Sequence, residues 1–504
     1  MRKGLKTLRL VLPLLALAGS PLRADWHKAE SQNFVLYGDM EPAELRQQVL
    51  RLESFDRLLR LRFSVNSAER QVPLTIYLLK HAKDVDVLLD RTHASGFFRS
   101  SRFGSFAVAS TDTPPELEGR SSDDILQHEY THFFFFRHLE TPQPGWLIEG
   151  FAQYMGASRR ADSGEWSVGL PNASRANALF KRDKLPLRTL LTAKPLELAS
   201  ADRSSFYAWS WLLTHMLYAS PARQAQLAAY LAELARGTPS LAAAEKAFGD
   251  LGELDRALVA YRDGKLVSTI YGHFGDYAGP LAVSRLAADE TQLMLISLDR
   301  KNGHDLGAAR SKLAEITAAT PAHAEAWFEL ALAERDLGVR ADKPEERAAH
   351  FAASKAALDR VLTLKPGHVR ANVLKADYLT RELAEARDSD PARWRDARAF
   401  LLKANEGDPD DPTVMYAWFE SFLRQGRAPT QVAHDGLARA FALQPEVPEL
   451  RIRYALDLAA QGQIDKAITV LQVMASNPHV GKQVEETLKQ LEARRAGASA
   501  PAAS

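Results

Sequence analysis

The last third of the chain repeats one spacing, in which a proline is followed seventeen residues later by a glycine. The spacing occurs at Pro321–Gly338, Pro409–Gly426 and Pro445–Gly462, and an Ala-rich or Leu-rich helical segment follows each pair. Each repeat is therefore expected to hold two helices. A single two-helix unit cannot bury its apolar face, whereas stacked units form a continuous core. The spacing therefore predicts an all-α array. A chain of 504 residues is also too long to form a single hydrophobic core, so more than one domain is expected.

Local sequence gives these units a family resemblance. The stretch Pro321–Ala331, P-A-H-A-E-A-W-F-E-L-A, strongly resembles a tetratricopeptide (TPR) repeat, and Gly462–Ala467 matches the turn between the two helices of such a repeat. The step of 36 residues from Pro409 to Pro445 is close to the family period of about 34. The resemblance implies an all-α TPR solenoid of four or five helix pairs over residues 288–492, with a protein partner on it.

Two further segments complete this region. Pro366–Ala371 begins another unit after an insertion over residues 339–350, and the Ala/Ser-rich residues 493–504 are expected to form a disordered tail. The alternative for the whole region is an unrelated α-helical domain with regularly spaced proline and glycine.

The first 24 residues have the features of a secretory signal peptide. Four basic side chains within residues 2–9 precede an apolar run over residues 10–18. This run is too short to span a bilayer core of roughly 30 Å, and an uncleaved amphipathic anchor is the alternative. No other segment reaches transmembrane length. The mature chain, from residue 25, is expected to be periplasmic or secreted and to have no transmembrane segment.

Composition limits the chemistry of such an exported chain. The sequence has no cysteine, which excludes disulfides and thiolate metal ligands, so any bound metal must rely on histidine and carboxylate. The formal net charge of +1 gives no reason to expect nucleic acid as a partner.

The part of the chain before the array is predicted to be an α+β domain. Over residues 25–120, β-branched and aromatic residues predict strands at 33–37, 72–79 and 103–109, and apolar residues at helical spacing predict a helix at 42–61.

Residues 121–285 have a mainly helical pattern. Ser121 and Asp124 form a weak capping box that opens one helix, and the segment Pro142–Gly145 breaks the chain before a second helix near Leu147.

The first of these helices contains the motif H-E-x-x-H, formed by His128, Glu129 and His132. Residues four apart lie on one helical face with Cβ atoms roughly 5–6 Å apart, so both imidazoles reach one ion. Glu129 then lies beside the metal and is placed to take a proton from metal-activated water. The motif predicts one catalytic zinc per chain.

Glu149 is the predicted third ligand. It lies seventeen residues past His132, in W-L-I-E-G-F-A on the second helix, which the break allows to fold back. Two histidines and one glutamate form a typical catalytic zinc site that leaves the fourth position for water. The alternative for Glu149 is an exposed first-turn glutamate.

The motifs H-E-x-x-H and W-L-x-E-G-F-A together resemble the gluzincins, above all relatives of aminopeptidase N. The resemblance implies a metallopeptidase domain with a small mixed sheet and a helical zinc-binding subdomain. It also implies that Glu149 binds zinc and that a downstream tyrosine stabilises the oxyanion. Tyr207, 58 residues after Glu149, is the candidate, with a ring packed in the core as the alternative.

Two departures from this family narrow the expected activity. Gln153 stands where the thermolysin-like branch has an aspartate, so Asp123 or Asp124 are the candidates for orienting a histidine. The G-x-M-E-N strand that captures a free amino terminus is missing, and the segment Phe103–Val108 is expected to be the edge strand that pairs with a peptide instead. An endopeptidase acting on peptides or proteins of the cell envelope or exterior is favoured.

Two other functions remain open on the sequence. A catalytically silent scaffold of the cell envelope would use only its TPR repeats, although Glu129 and the three candidate ligands are all present. A structural zinc site is the other, but such sites generally use four protein ligands.

Overall fold

A computed structural model describes residues 25–66, 71–89, 96–112, 121–475 and 482–499. This part of the chain is mixed α and β, with two small sheets and many helices. The segment 1–24, on which the signal peptide is predicted, lies outside the described residues. None of the described helices combines the length and apolar character needed to cross a membrane.

The strands form a six-stranded sheet of order β4-β5-β3-β2-β1-β9 and a three-stranded sheet of order β6-β7-β8. Their bounds are β1 Trp26–Glu30, β2 Phe34–Asp39, β3 Leu74–Leu79, β4 Gly96–Ser101, β5 Gly104–Ser110, β6 Arg159–Arg160, β7 Trp166–Val168, β8 Thr269–Tyr271 and β9 Ala282–Arg285.

Strands β2, β3 and β5 are parallel neighbours and correspond to the three predicted strands. The prediction that this third strand, β5, forms the edge of the sheet is wrong, however, because β5 lies between β3 and β4. The edge is β4, which pairs antiparallel with β5 in a hairpin closed at Arg102 and Phe103.

Ten helices precede the array in the described residues. They are α1 Pro42–Phe63, α2 Ala82–Leu89, α3 Ser122–His138, α4 Gly145–Gly156, α5 Ala173–Lys181, α6 Leu187–Thr192, α7 Ser200–Tyr218, α8 Pro221–Ala235, α9 Ser240–Phe248 and α10 Leu251–Arg262. One apolar cluster joins the sheet to α1, α3, α4 and α7, and Phe34, Phe55 and Phe151 are fully buried in it. The α3 helix therefore lies under the sheet with α4 and α7 packed beyond it.

The described residues after 285 form five consecutive helix pairs and a final helix. They are α11 Ala288–Asn302, α12 Leu306–Ala319, α13 Ala324–Arg340, α14 Pro344–Leu364, α15 Val369–Glu385, α16 Pro391–Gly407, α17 Pro412–Arg424, α18 Gln431–Leu443, α19 Pro448–Ala460, α20 Ile464–Ala475 and α21 Gln483–Ser499.

The repeated glycines have different roles in these pairs. Gly426 and Gly462 follow α17 and α19 with φ of +70° and +80°, a left-handed conformation that glycine adopts at little cost. Gly338 lies inside α13, where an added Cβ would be 3.1 Å from the Phe351 ring of α14. It therefore permits close packing within a pair rather than ending a helix.

Residues 493–499, the first part of the tail predicted to be disordered, continue α21. Alanine and arginine are frequent there and have high helix propensity. Residues 500–504 lie outside the described part of the chain.

The array touches the α+β part at both of its ends. At the first end, Leu298 of α11 is buried against Tyr77 of β3 and Trp26 of β1. At the other end, apolar residues of α19, α20 and α21 belong to the same cluster as the sheet and α3. Between these ends the hairpin tip contacts the array, because Arg335 of α13 lies over the Phe103 ring and Arg102 lies over the Tyr416 ring of α17.

Candidate metal centre

Helix α3 places both motif histidines on one buried face. The predicted capping box is present, because the Asp124 amide donates to Ser121 Oγ (3.3 Å) and the Ser121 amide donates to the Asp124 carboxylate (3.1 Å). The residues Phe133–Phe136 bury the following turn in the core. With the helix fixed in this way, the Nε2 atoms of His128 and His132 lie 3.1 Å apart.

Helix α4 supplies the third group, and two glycines set its position. A Cβ at Gly150 would lie 2.3 Å from the Ser210 carbonyl oxygen of α7, and a Cβ at Gly156 would lie 2.9 Å from the Asp124 carbonyl oxygen of α3. Both contacts are too short for any side chain. The absence of side chains therefore lets α4 pack between α7 and α3, with Glu149 towards the histidines.

The three groups have the spacing of a metal site. Glu149 Oε2 lies 3.5 Å from His132 Nε2 and 3.8 Å from His128 Nε2. A tetrahedral zinc with bonds of about 2.0–2.2 Å holds neighbouring ligand atoms about 3.3–3.6 Å apart. The side chains of His132 and Glu149 are each only 2% exposed. This buried His-His-Glu cluster could therefore hold a metal ion.

The electrostatics of the cluster favour a positive charge. Burial alone lowers the pKa of His132, but the neighbouring carboxylates of Glu149 and Glu129 outweigh it and raise the pKa above the ordinary histidine value. An imidazole that attracts a proton in a buried site reports a negative local potential. The same potential attracts a metal cation.

Glu129 lies next to the cluster at the foot of the edge strand. It is half-buried, and a Cβ added at Gly96, the first residue of β4, would be 3.6 Å from Glu129 Cγ. The same Cβ would lie 2.6 Å from Ile125 Cγ2, so β4 runs closely over α3 at this point. Further along, the rings of Phe98 and Phe133 meet at 5.6 Å. The edge strand thus passes directly above the candidate general base.

Tyr207 lies in α7, half-buried, within electrostatic reach of both glutamates. Burial raises the pKa of its phenol, the charge of Glu149 raises it further, and the Arg175 guanidinium, 5.3 Å from the ring centroid, lowers it. The net effect is a raised pKa. The phenol therefore keeps its proton at neutral pH and can donate a hydrogen bond into the site.

The Gln153 side chain is hydrogen-bonded to residues at the start of α5. Its Oε1 accepts from Arg175 Nε at 3.1 Å and lies 3.5 Å from Asn172 Nδ2. Gln153 thus holds the guanidinium that stacks on Tyr207. Arg175 is the site residue that the sequence did not indicate, because nothing in the spacing of α5 relates it to α4 or α7.

The two aspartates considered as partners of the histidines are engaged elsewhere. Asp124 belongs to the capping box and pairs with Arg159, and Asp123 pairs with Arg51 of α1. Both carboxylates therefore stabilise the N-terminus of α3.

Comparison with known proteins adds nothing to this geometry: no protein-family model matches the chain, and no curated protein matches its sequence.

Proposed function

We propose that the protein is an exported zinc endopeptidase of the gluzincin type, with His128, His132 and Glu149 as the metal ligands. The observation that carries the proposal is the convergence of these three donor atoms, all within 4.8 Å of one another, beside Glu129. Its proposed location is the periplasm or the exterior of the cell.

Zinc suits the donor set best. Two imidazoles and one carboxylate match catalytic zinc, and the absence of cysteine excludes thiolate sites. When bound, zinc would polarise the scissile carbonyl and lower the pKa of the attacking water to about 7.

The remaining steps belong to side chains of the chain itself. Glu129 takes a proton from the water whose oxygen attacks the carbonyl carbon, and it later passes that proton to the leaving nitrogen as the C–N bond breaks. Tyr207 donates its phenolic proton in a hydrogen bond to the carbonyl oxygen, where negative charge develops.

The peptide is proposed to lie along β4. No other described strand pairs with the outer side of β4, and β4 begins directly above Glu129. An extended peptide paired with this edge would pass the general base with its backbone fixed. Such binding uses the peptide backbone and not a free amino terminus, which favours an endopeptidase.

The helix pairs α11–α20 are proposed to be TPR repeats that bind a protein partner or substrate. The TPR-like stretch Pro321–Ala331 spans the start of α13, and Gly462 forms the turn between the paired helices α19 and α20. The short inter-helix turns and the alternating pair packing are consistent with such a solenoid.

A comparison of Glu129→Gln with wild type tests the proposal. Purified wild type should contain about one zinc per chain and cleave an unfolded protein substrate such as casein. Glu129→Gln should retain the zinc and lose about 10²–10⁴-fold in turnover, because the general base is gone. Glu140→Gln, an exposed glutamate after α3, is the matched control and should keep full activity.

Two outcomes would contradict the proposal. If Glu129→Gln and Glu140→Gln cleave equally, the observed proteolysis comes from a contaminant. If the wild type binds zinc and cuts no member of a peptide library, the silent envelope scaffold is the better account.

A further inference from the structure

A cavity of about 600 Å³ lies between the β4–β5 hairpin and the array, apart from the metal centre. Its floor is the hairpin tip with Arg102 and Phe103, and its walls come from α11, α13, α15 and α17. Because the array touches the α+β part at both ends, the hairpin and the array enclose this space between them. The volume is within the range of about 300–1,000 Å³ that ligand sites occupy.

Positive charge dominates the cavity lining. Eight basic and four acidic side chains line it, an excess of four positive charges. Each of the four acids is paired with an arginine: Glu329 with Arg300, Asp336 with Arg300 and Arg335, Asp377 with Arg424, and Glu420 with Arg453.

Four other cations line the cavity, and three of them have neutral partners. Lys301 donates to the Tyr77 hydroxyl (3.2 Å), Arg340 donates to the Gly303 carbonyl (2.9 Å), and Arg102 stacks on the rings of Phe103 and Tyr416. Arg370 is exposed towards the cavity. In the described part of the chain, none of the four forms an ion pair with a carboxylate.

Lys301 is exposed at the cavity, where the surrounding protein partly desolvates the ammonium and lowers its pKa to about 8. A cation in such a place gains from an anion that replaces lost water.

Apolar side chains lie between the cations. Val339 is 68% exposed and Phe103 is 38% exposed, and both face the cavity together with Val373 and Leu374. A small inorganic anion would leave this surface wet. A ligand that carries both carboxylates and apolar groups covers both parts of the lining.

We propose that this cavity binds an acidic peptide segment whose carboxylates pair with Arg102, Lys301, Arg340 and Arg370 and whose apolar side chains cover Val339 and Phe103. None of the metal-centre side chains lines this cavity, although the far end of β4 does, and the proposal does not depend on peptidase activity. It also does not require that the helix pairs be TPR repeats.

Fluorescence anisotropy with a short fluorescein-labelled peptide that alternates glutamate with leucine tests this. The protein is the full chain with Glu129→Gln, which prevents loss of the probe by cleavage. Arg340→Gln with Arg370→Gln should weaken binding at least about tenfold, because each charge-assisted hydrogen bond contributes to affinity. Arg395→Gln with Arg494→Gln removes the same charge from exposed positions outside the cavity and should change binding less than about twofold.

Three results would overturn the assignment: equal binding by both double variants, equal binding of a peptide with glutamine in place of glutamate, or displacement of the probe by inorganic phosphate as effectively as by the unlabelled peptide. Retention of zinc and of the thermal unfolding midpoint by the Arg340 and Arg370 variant shows that a loss of binding is not a loss of fold. Failure here leaves the proposed peptidase unaffected, because the two tests use different sites.

Discussion

Helix α3 carries two clusters of buried ionisable side chains, one around His132 and one around Arg137. The His132 cluster contains Glu149 of α4, which is close in the chain, only twelve residues after Arg137. The Arg137 cluster contains Glu446 of the array, 309 residues after Arg137. Both clusters are almost fully buried, since the four side chains of His132, Glu149, Arg137 and Glu446 are each exposed by 4% or less.

The Arg137 cluster is complementary within the protein. Arg137 Nε and Nη2 donate to the two oxygens of Glu446 at 3.0 and 2.7 Å, and Arg137 Nη1 donates to the Val72 carbonyl at 2.7 Å. Ser105 of β5 donates a further hydrogen bond of 2.8 Å to Glu446. The Arg137 charge thus faces its opposite in Glu446, and the cluster joins α3, the sheet and the array.

The His132 cluster instead brings together three electron-pair donors, and the negative potential of its carboxylates raises the pKa of His132. Donor groups that converge in a buried space are stabilised by a cation placed among them. Two equally buried clusters on one helix therefore differ: the balanced Arg137 cluster joins parts of the structure, and the convergent His132 cluster could hold a metal ion.

The largest effect on stability is expected at the balanced cluster. Glu446→Gln should lower the free energy of unfolding by about 3–5 kcal/mol, because it leaves the Arg137 charge buried without its anion. Urea denaturation of the metal-free protein measures this. Glu345→Gln, on the exposed side of α14, is the control and should change stability by less than about 0.5 kcal/mol.

Replacing both partners of the Arg137–Glu446 pair sharpens this prediction. Arg137→Met with Glu446→Leu should recover part of the lost stability, because the Arg137 charge is then no longer buried without its anion; the nearby Arg451 still loses the charge of Glu446. Zinc content should be normal in all of these variants below their unfolding transitions. Equal stability of Glu446→Gln and Glu345→Gln would mean that the junction does not hold the two parts together.

A change beside the His132 cluster should have the opposite effect: a large loss of turnover and little change in the free energy of unfolding. Tyr207→Phe is expected to lower turnover by about 10²–10³-fold, or about 2.7–4 kcal/mol, because a hydrogen-bond donor to the developing oxyanion is lost. Its zinc content and unfolding free energy should stay close to those of wild type. Tyr454→Phe, which changes a tyrosine stacked on Phe441 in the array, should leave turnover unchanged. Equal turnover of the two variants would remove Tyr207 from the site.

Local spacing explains which of these features the sequence could predict. His128, Glu129 and His132 lie within five residues on one helix, and the helix period alone places both imidazoles on one face. Glu149 follows a single chain break, Pro142–Gly145, which lets its helix fold back beside the helix of the two histidines. The capping box and strands β2, β3 and β5 were equally local.

The remainder depends on contacts between distant segments. Periodicity predicts the strand at β5 but not that β4 pairs with its outer side, so the sequence places the sheet edge at the wrong strand. Arg175 reaches the site only through the packing of α5 on α7. Glu446 lies in a turn between array helices, and a lone glutamate in a turn gives no sign of a buried partner.

The two clusters also shift histidine pKa values in opposite directions. Carboxylates raise the pKa of His132, whereas burial, then Arg60 and Arg137, lower the pKa of His138 to about 2. His138 is the last residue of α3, with its Nε2 3.3 Å from an Arg60 guanidinium nitrogen. The surroundings of His138 therefore disfavour protonation of its imidazole, whereas the surroundings of His132 favour it.

The smallest predicted effect follows from this contrast. The unfolded chain protonates His138 near pH 6.5 and the folded chain does not, so its contribution to stability is complete above about pH 6.5 and is lost as the pH falls towards 2. The expected loss is about 1.4 kcal/mol per pH unit, or about 2 kcal/mol at pH 5. The difference in urea stability between wild type and His138→Gln, both metal-free, should narrow by this amount between pH 7 and 5. Measuring the difference cancels the opposite contribution of His132, which is common to both proteins, and a constant difference would mean that His138 titrates alike in the folded and unfolded chains.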